Sequence, residues 1–294
     1  MNYFQAILLG LLQGITEFLP VSSTAHMAIV PQLLGMQDPG AAFSAIAQLG
    51  PIVAIVSYFR NDLSKYFHGI LRTKSPKKIP AGDLDAKLGW FTLLGTLPLI
   101  VFAIALEKKV DTTFRSLYIT AFSLIALALV LIVAEQIGKK NKSLDTLTLK
   151  QSQQIGWAQV LALVPGASRS GVTITAGLFT GLDRESAARF SFLLSIPAIT
   201  LAGLYKLSKF LIHPAALKTQ AGPALVAALA AGLIAYAVVN WFLGFMKEHT
   251  TKAFIIYRIA LGVLVLVLLQ THYLTPKKPI EINDAEGATT AQTQ

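Results

Sequence analysis

The chain has 294 residues, of which 54% are hydrophobic and 14% are charged, and its mean hydropathy is +0.59. This composition lies outside the range of ordinary soluble domains and indicates a polytopic membrane protein. The net charge of +10 comes from basic residues in short loops between apolar segments, which argues against a nucleic-acid partner. The absence of cysteine excludes disulfides, thiolate metal sites and cysteine nucleophiles.

The first predicted element is an apolar region of about residues 4–36, which proline and hydroxyl residues interrupt in its middle. Each half is too short to cross a bilayer. Interrupted backbone at membrane depth is tolerated only when it is buried in protein or lines a wet cavity. We therefore predict a re-entrant helix–loop–helix hairpin here, and a second one over about 153–182 for the same reason.

Six further segments approach the twenty or so apolar residues that a hydrocarbon core requires. They are 43–59, 88–106, 116–134, 187–205, 222–243 and 254–271. The predicted fold class is an all-α polytopic membrane protein with six transmembrane helices plus two re-entrant helix–loop–helix hairpins. We expect a single integral membrane domain over 1–273 and a polar, disordered C-terminal tail over 274–294.

The distribution of Lys and Arg predicts the orientation. These residues concentrate in loops 60–87 and 135–152, and none precedes Arg60. The positive-inside rule places both loops in the cytoplasm, which leaves both termini outside. Without a basic region before the first apolar stretch, residues 1–20 are expected to be retained and not cleaved as a leader.

The two interrupted regions resemble each other at an offset of about 145 residues. Pro20-Val21-Ser22-Ser23 matches Pro165-Gly166-Ala167-Ser168, and Gly50-Pro51 matches Ile196-Pro197. Repeat one then covers about 1–135 and repeat two about 152–273, each with one hairpin and three spans. Because three is odd, the second copy enters from the opposite face. This predicts an inverted-topology repeat whose interrupted helices meet near the midplane.

The first interruption collects polar groups at the start of a helix. Gln13 and Glu17 share a helical face, and Pro20 ends that helix. His26 follows Ser23 by three residues, a spacing that suits a base serving a serine. The N-cap candidates of the second helix are Ser22, Ser23 and Thr24.

The second interruption supplies an anion site. Pro165 and Gly166 open a turn, and Arg169 carries a permanent charge with donors in a planar fork. Free backbone amides and the positive dipole end of a helix favour anions. Two such helix starts that face each other would hold a strongly anionic group. The hydroxyl residues available here are Ser168, Ser170 and Thr173.

Structural explanations compete with this prediction. Ser and Thr in membrane helices often bond to backbone or join helices. Ionisable groups at membrane depth cost at least about 2.5–3.5 kcal/mol and are usually functional, although Glu17 and Arg169 would also fit a buried structural pair. Arg258 is expected to snorkel or to pair near a helix start.

The combination fits phosphoryl transfer. That reaction needs a nucleophile, a proton carrier, cations on the phosphoryl oxygens and often a divalent metal held by one or two carboxylates and the substrate. Ser23, His26, Arg169 and Glu17 supply these parts. A transporter or lipid flippase remains an alternative, since inverted repeats with interrupted helices are typical of transporters. A structural or regulatory scaffold would leave the intramembrane charges unexplained.

Two motifs carry a resemblance to a known family. QGITEFLPVSSTAHM resembles the first motif of the undecaprenyl-diphosphatase family of bacitracin-resistance membrane phosphatases, (E/Q)xxxE followed by PxSSTxH. PGASRSGVT resembles its second motif, PGxSRSxxT, and ARFSFLLSIP resembles the segment that follows. The likeness extends to about residue 273.

The resemblance implies a bacterial inner-membrane hydrolase that converts a polyprenyl diphosphate lipid to the monophosphate and inorganic phosphate, recycling carrier lipid for peptidoglycan synthesis. It implies an active site open to the periplasmic face and a homodimer. Functional residues carry over to Glu17, Ser23, His26 and Arg169. Supporting polar positions are Gln13, Ser22, Thr24, Ser168, Ser170 and Thr173.

The mechanism has open alternatives. In one, a divalent cation, Mg²⁺ or Ca²⁺, associates with Glu17 while Ser23 attacks and His26 carries the proton. In the others, His26 or an activated water is the nucleophile. Gln13 stands where some family members have a second carboxylate, so Glu17 would be the single anionic protein ligand of the metal.

Overall fold

The computed structural model describes residues 1–36, 40–107, 116–211 and 214–276. Over these ranges the chain is helical apart from loops, short 3₁₀ turns and one isolated bridge between Lys142 and Leu182. The helices are α1 (Tyr3–Phe18), α2 (Ser23–Leu33), α3 (Gly40–Ala47), α4 (Leu49–Tyr58), α5 (Arg60–Thr73), α6 (Leu84–Ala105), α7 (Leu117–Ile137), α8 (Leu149–Gln159), α9 (Arg169–Phe179), α10 (Arg184–Leu211), α11 (Pro214–Glu248) and α12 (Lys252–Gln270). The predicted all-α class is confirmed for this part of the chain.

Five of the six predicted spans correspond to helices long and apolar enough to cross a membrane. They are Leu84–Ala105, Leu117–Ile137, Arg184–Ser208, Ala221–Glu248 and Lys252–Gln270. The sixth, 43–59, differs, because Gln48 separates α3 from α4 and the chain then bends by 74° into α5. Pro51 explains the first break: it lies in the first turn of α4, where a missing N–H is tolerated, and it disfavours helix just before it. Taken with α5, this bent pair is a sixth candidate.

Both predicted hairpin regions form helix–turn–helix units. The first is α1 followed by α2; the second is α8, a 3₁₀ turn over Val160–Leu163, and α9. Helices α1 and α8 begin with capping boxes, Asn2 with Gln5 and Thr148 with Gln151. These caps satisfy amides that would otherwise be unpaired at the helix start.

The second helices of the two units are equivalent in length and start. Both α2 and α9 have 11 residues, and their N-caps, Ser22 and Ser168, have left-handed φ values of 74° and 65°. The separation of these caps is 146 residues (168 minus 22), one more than the match of the prolines suggests. Helix starts are defined by the cap geometry, whereas Pro20 and Pro165 occupy different positions in their turns.

Small residues bring the hairpins close to the long helices. A Cβ added at Gly14 in α1 would lie 2.4 Å from the Ala231 carbonyl oxygen of α11, and one at Gly156 in α8 would lie 2.1 Å from the Gly95 carbonyl oxygen of α6. Such contacts are typical of helix packing in membranes, where close backbone approach replaces the hydrophobic effect. Each hairpin is therefore held by a different long helix.

Helix α12 lies next to the first hairpin. It packs on α7, and an apolar cluster joins Ala25 and Ile29 of α2 to Leu124 and Val265. Leu274, at the start of the predicted tail, is 1% exposed and belongs to the same cluster. The predicted disorder over the rest of the tail concerns residues that, from 277 onward, lie outside the described ranges.

Candidate active site

Glu17 joins the two hairpins. Its Oε2 accepts hydrogen bonds from Gln13 Nε2 and Ser23 Oγ, both at 2.8 Å, and its Oε1 accepts one from Arg169 Nη2 at 3.0 Å. The carboxylate is buried, with 8% of the residue exposed. A buried carboxylate is stable only when paired and hydrogen-bonded, and three donors supply that environment.

Local folding explains why these groups meet. Gln13 and Glu17 lie one turn apart at the end of α1, and the chain reverses over residues 19–22 before α2 begins at Ser23. The first side chain of α2 thereby reaches the last turn of α1. Arg169 is the first residue of α9 and reaches the same carboxylate from the other hairpin.

His26 has different partners from those that its spacing suggests. Its Nδ1 lies 2.8 Å from the Ser22 carbonyl oxygen and its Nε2 lies 2.5 Å from the Tyr257 hydroxyl. The described contacts contain no hydrogen bond between Ser23 and His26; the Ser23 hydroxyl donates to Glu17 instead. The predicted Ser23–His26 pair is therefore absent from the described contacts, and the imidazole ring bonds back to the carbonyl of the helix cap.

Two hydroxyls cross between the hairpins. Thr24 Oγ1 accepts from the Gly166 amide at 3.4 Å, and Ser170 Oγ donates to the Leu19 carbonyl at 2.9 Å. Each hairpin's second helix therefore binds the turn of the other hairpin. Both hydroxyls also contact the cap residue two positions earlier, Ser22 at 3.0 Å and Ser168 at 3.2 Å. These contacts fix the relative position of the two helix starts.

Thr173 lies behind this layer and is fully buried. Its hydroxyl is 2.8 Å from the Arg169 carbonyl oxygen and 2.7 Å from Ser191 Oγ of α10. Because the hydroxyl is engaged on both sides, Thr173 supports the first turn of α9.

Unsatisfied donors mark the anion-binding character of the site. Arg169 Nη1 is buried and has no hydrogen-bond partner among the described residues. The N-termini of α2 and α9, with their positive dipole ends, converge on the same region through the Thr24 and Ser170 contacts. An anion with several oxygens would satisfy these groups.

Sequence reasoning missed two site residues, Tyr257 and Arg258 of α12. Arg258 was expected to snorkel or to pair near a helix start; it is 0% exposed, and its Nη2 donates to the carbonyls of Ala167 at 2.9 Å and Gly166 at 3.4 Å. The sequence signal was an arginine inside a 19-residue helix that is apolar over most of its length, because intramembrane charge is usually functional.

A second buried carboxylate belongs to a separate cluster. Glu135 at the end of α7 pairs with Arg184 of α10, and its Oε2 accepts from the Thr251 hydroxyl at 2.7 Å. Both charges are satisfied, and the cluster connects three long helices. It contains no hydroxyl that faces an unpaired cation, so we interpret it as structural.

The side chains available as metal ligands can be compared with the predicted metal site. Among the described residues, no group of three or more His, Asp or Glu is arranged to hold an ion. Glu17 is the one carboxylate of the network described above, and both its oxygens already accept hydrogen bonds. Mg²⁺ is commonly bound by one or two carboxylates plus substrate phosphates. The described side chains therefore form no cation site by themselves, and a cation at Glu17 would have to take most of its ligands from a phosphate-bearing substrate.

A comparison with known protein families covers the residues of this site. The family model described as bacitracin resistance protein BacA matches residues 6–264, which include the first hairpin from Ala6 onward, the second hairpin and α12 up to Leu264. The chain belongs to the bacitracin resistance protein BacA family. The matched region contains all ten predicted site residues as well as Tyr257 and Arg258.

Relatives of the BacA family match over nearly their full length. The undecaprenyl-diphosphatase of Myxococcus xanthus (strain DK1622) is 47% identical, with 98% of this chain and 96% of the relative covered. That of Pelodictyon phaeoclathratiforme is 47% identical, with 94% and 100% covered. That of Chlorobaculum tepidum is 44% identical, with 94% and 100% covered.

Proposed function

We propose that this chain is an undecaprenyl-diphosphatase, which hydrolyses undecaprenyl diphosphate to the monophosphate and inorganic phosphate. The observation that carries the proposal is the path from the Ser23 hydroxyl to Glu17 and on to Arg169, at 2.8 and 3.0 Å. A nucleophile beside a base, with a cation from the opposite hairpin, is what phosphoryl transfer requires. Membership of the BacA family and the names of the relatives support the same activity.

In the first step, Ser23 Oγ attacks the terminal phosphorus. Its proton passes to Glu17 Oε2, the atom that already accepts the serine hydrogen bond. The bond from the terminal phosphorus to the bridging oxygen breaks, and undecaprenyl phosphate leaves. Water then attacks the phosphoserine, which releases inorganic phosphate and restores Ser23. We assign the proton of the attacking water to His26, while Glu17 returns its proton to Ser23 Oγ as the bond between phosphorus and that oxygen breaks.

Arg169 and the two helix starts would hold the diphosphate. Arg169 Nη1 lacks a protein acceptor among the described residues, so a phosphate oxygen can take that position without breaking the Glu17 pair. A planar guanidinium suits phosphate geometry. The amides at the starts of α2 and α9 add further donors for the phosphate oxygens.

A divalent cation, Mg²⁺ or Ca²⁺, is proposed as cofactor. Glu17 is the residue that would bind it, together with the diphosphate oxygens, and the ion would reduce the negative charge that develops during transfer. The main role of Glu17 in the steps above remains the proton of Ser23.

The membrane arrangement that we propose has six spans and two re-entrant hairpins in an inverted repeat. The equal lengths of α2 and α9, their matching caps and the paired capping boxes of α1 and α8 support it. The positive-inside rule favours both termini outside, and the family resemblance implies a site that opens to the periplasmic side of the inner membrane. A tag after residue 276 that reacts only with cytoplasmic reagents would contradict this orientation. The homodimer stays a prediction, to be tested by light scattering in detergent.

The decisive experiment is phosphate release from undecaprenyl diphosphate by the purified protein in detergent with Mg²⁺ or Ca²⁺. Wild type should turn over, and Ser23→Ala should lose about 10³-fold or more in kcat. Ser23→Ala with most of its kcat would remove serine as nucleophile and leave His26 or water. Trapped phosphate that survives acid indicates phosphoserine, whereas acid-labile phosphate indicates phosphohistidine.

The transporter alternative makes a different prediction. A flippase would move undecaprenyl phosphate across proteoliposomes without phosphate release, and Ser23→Ala would leave that movement intact. A carrier needs groups that bind an anion, but it does not need a serine hydroxyl hydrogen-bonded to a buried carboxylate that can take its proton. The Ser23–Glu17 hydrogen bond therefore favours the phosphatase.

A further inference from the structure

Two adjacent residues of α12 contact the two hairpins separately. Tyr257 reaches His26 of the first hairpin, with 2.5 Å between its hydroxyl and Nε2 and with the two rings parallel to within 4°. Arg258 reaches the turn of the second hairpin through the carbonyls of Gly166 and Ala167. One turn of a single helix thus holds both halves of the site.

The contacts of His26 specify its tautomer. The Ser22 carbonyl oxygen can only accept, so the Nδ1 atom, 2.8 Å away, carries a proton. In the neutral ring Nε2 is then an acceptor, and the Tyr257 hydroxyl donates to it. When the ring is protonated, the same hydroxyl can accept from Nε2–H, because a phenol is both donor and acceptor. Tyr257 therefore holds the ring in one orientation in both protonation states.

Arg258 has a different role, because it binds the carbonyl groups of the turn and so fixes their direction. A turn that binds an anion must direct its amides toward the anion and its carbonyl groups elsewhere. Arg258 provides a cationic donor for the two carbonyls that precede Ser168, the cap of α9. A Cβ on Gly171 would lie 2.4 Å from Arg258 Nη1, so the guanidinium lies directly beside the first turn of this helix.

The burial of Arg258 indicates that it has more than a packing role. Its Nε and Nη1 have no partner among the described residues, and the residue is fully buried. A buried guanidinium that is only partly satisfied is expensive to retain in a membrane protein. Its charge adds to the positive end of α9, from which Arg169 extends toward Glu17.

We propose that Tyr257 and Arg258 are positioning residues for the hydrolysis: Tyr257 orients the His26 ring, and Arg258 fixes the turn that presents Arg169 and the α9 amides to the diphosphate. This inference rests on the proposed function. It predicts that loss of Tyr257 lowers kcat and that loss of Arg258 raises KM, because His26 acts in the chemical steps and the turn acts in binding.

The first test is Tyr257→Phe, which removes the hydroxyl and keeps the ring. We expect kcat to fall about 10-fold, the equivalent of one lost hydrogen bond, while KM stays within about 2-fold. In ¹⁵N-histidine-labelled protein, the Nε2 signal of His26, assigned with His26→Asn, should shift. Tyr58→Phe is the matched control, because the contact of its hydroxyl in the described part of the chain is with Asn240 at 3.4 Å, outside the site. An unchanged kcat, or an unchanged His26 signal, would overturn the role of Tyr257.

The second test is Arg258→Lys, which keeps the charge but lacks the planar fork, with Arg258→Met alongside it. We expect KM for undecaprenyl diphosphate to rise about 10-fold in the lysine variant, with kcat changed less. A merely structural role would lower the melting temperature and leave KM of the folded protein unchanged. If the methionine variant does not fold, the lysine variant alone decides. Arg184→Lys, in the Glu135 cluster, is the control.

Phosphate release by the wild-type protein tests the proposed function separately from the role of Arg258. Wild type without phosphate release refutes the proposed function itself. Active wild type with a normal KM in Arg258→Lys refutes the role of Arg258 and leaves the phosphatase in place.

Discussion

Ser22 and Ser168 begin the two short helices of the site with the same backbone geometry, and each hydroxyl caps the amide three residues on. The side chains that follow these two matching caps differ in their chemistry. The residue after the cap is Ser23 in one hairpin and Arg169 in the other, so equivalent positions carry the proposed nucleophile and the proposed phosphate-binding cation. Val172 occupies the position of His26 in the second helix, again at a separation of 146 residues (172 minus 26). A symmetric scaffold thereby holds an asymmetric site.

The left-handed caps predict an unusual order of variant stabilities. Ser168→Ala loses the cap and keeps the Cβ that wild type already holds at φ 65°, at a cost of about 0.5–2 kcal/mol, whereas Ser168→Gly loses the cap but removes that Cβ and relieves the backbone. Thermal unfolding should rank wild type above the glycine variant and that above the alanine variant. Ser116 caps α7 at φ −66° and is the control: its glycine and alanine variants should differ by less. An equal difference at both caps would contradict the backbone argument.

The two buried glutamates predict a separation of activity from stability. Glu17→Gln keeps the size of the side chain but removes the base for Ser23 and the charge that pairs with Arg169, so kcat should fall about 10²–10⁴-fold. Glu135→Gln weakens the cluster with Arg184 and Thr251, which should lower stability by about 1–3 kcal/mol while folded protein keeps its kcat. Phosphate release and melting temperature, measured on both variants, check the contrast. A fully active Glu17→Gln would refute the role of this carboxylate.

Much of this site could be predicted from the sequence. Polar residues beside proline within apolar segments indicated both hairpins, and the spacing of Gln13 and Glu17 indicated their shared face. The partners of His26 could not be predicted, since Tyr257 lies 231 residues away and only tertiary packing brings it to Nε2. The break at Gln48 was also missed, because hydropathy averages over a window and does not register a local bend.

Variants of Thr173 test whether its buried hydroxyl stabilises the first turn of α9. Thr173→Val keeps the shape but leaves Ser191 Oγ without its 2.7 Å partner, and the Arg169 carbonyl loses a donor. We expect a loss of about 1–3 kcal/mol in the free energy of unfolding and a modest rise in KM as the first turn of α9 loosens. Thr173→Ser retains the hydroxyl and should stay close to wild type in both quantities. Equal effects of valine and serine would assign the result to packing and not to the hydroxyl.

The cation predictions follow from the hydrogen bonds of Glu17. Ca²⁺ takes six to eight oxygen ligands, and Glu17 offers oxygens that already accept from Gln13, Ser23 and Arg169. Calorimetric titration of the protein alone with Ca²⁺ should therefore show no saturable binding at micromolar concentrations. Saturable binding should appear once a non-hydrolysable undecaprenyl diphosphate analogue is present, because the diphosphate supplies the missing oxygens.

Removal of the cation with EDTA should then weaken analogue binding to wild type. The same treatment should have less effect on Glu17→Gln, which has lost the one anionic protein ligand. Tight Ca²⁺ binding to the protein alone would show that the site rearranges to free Glu17 before the substrate arrives.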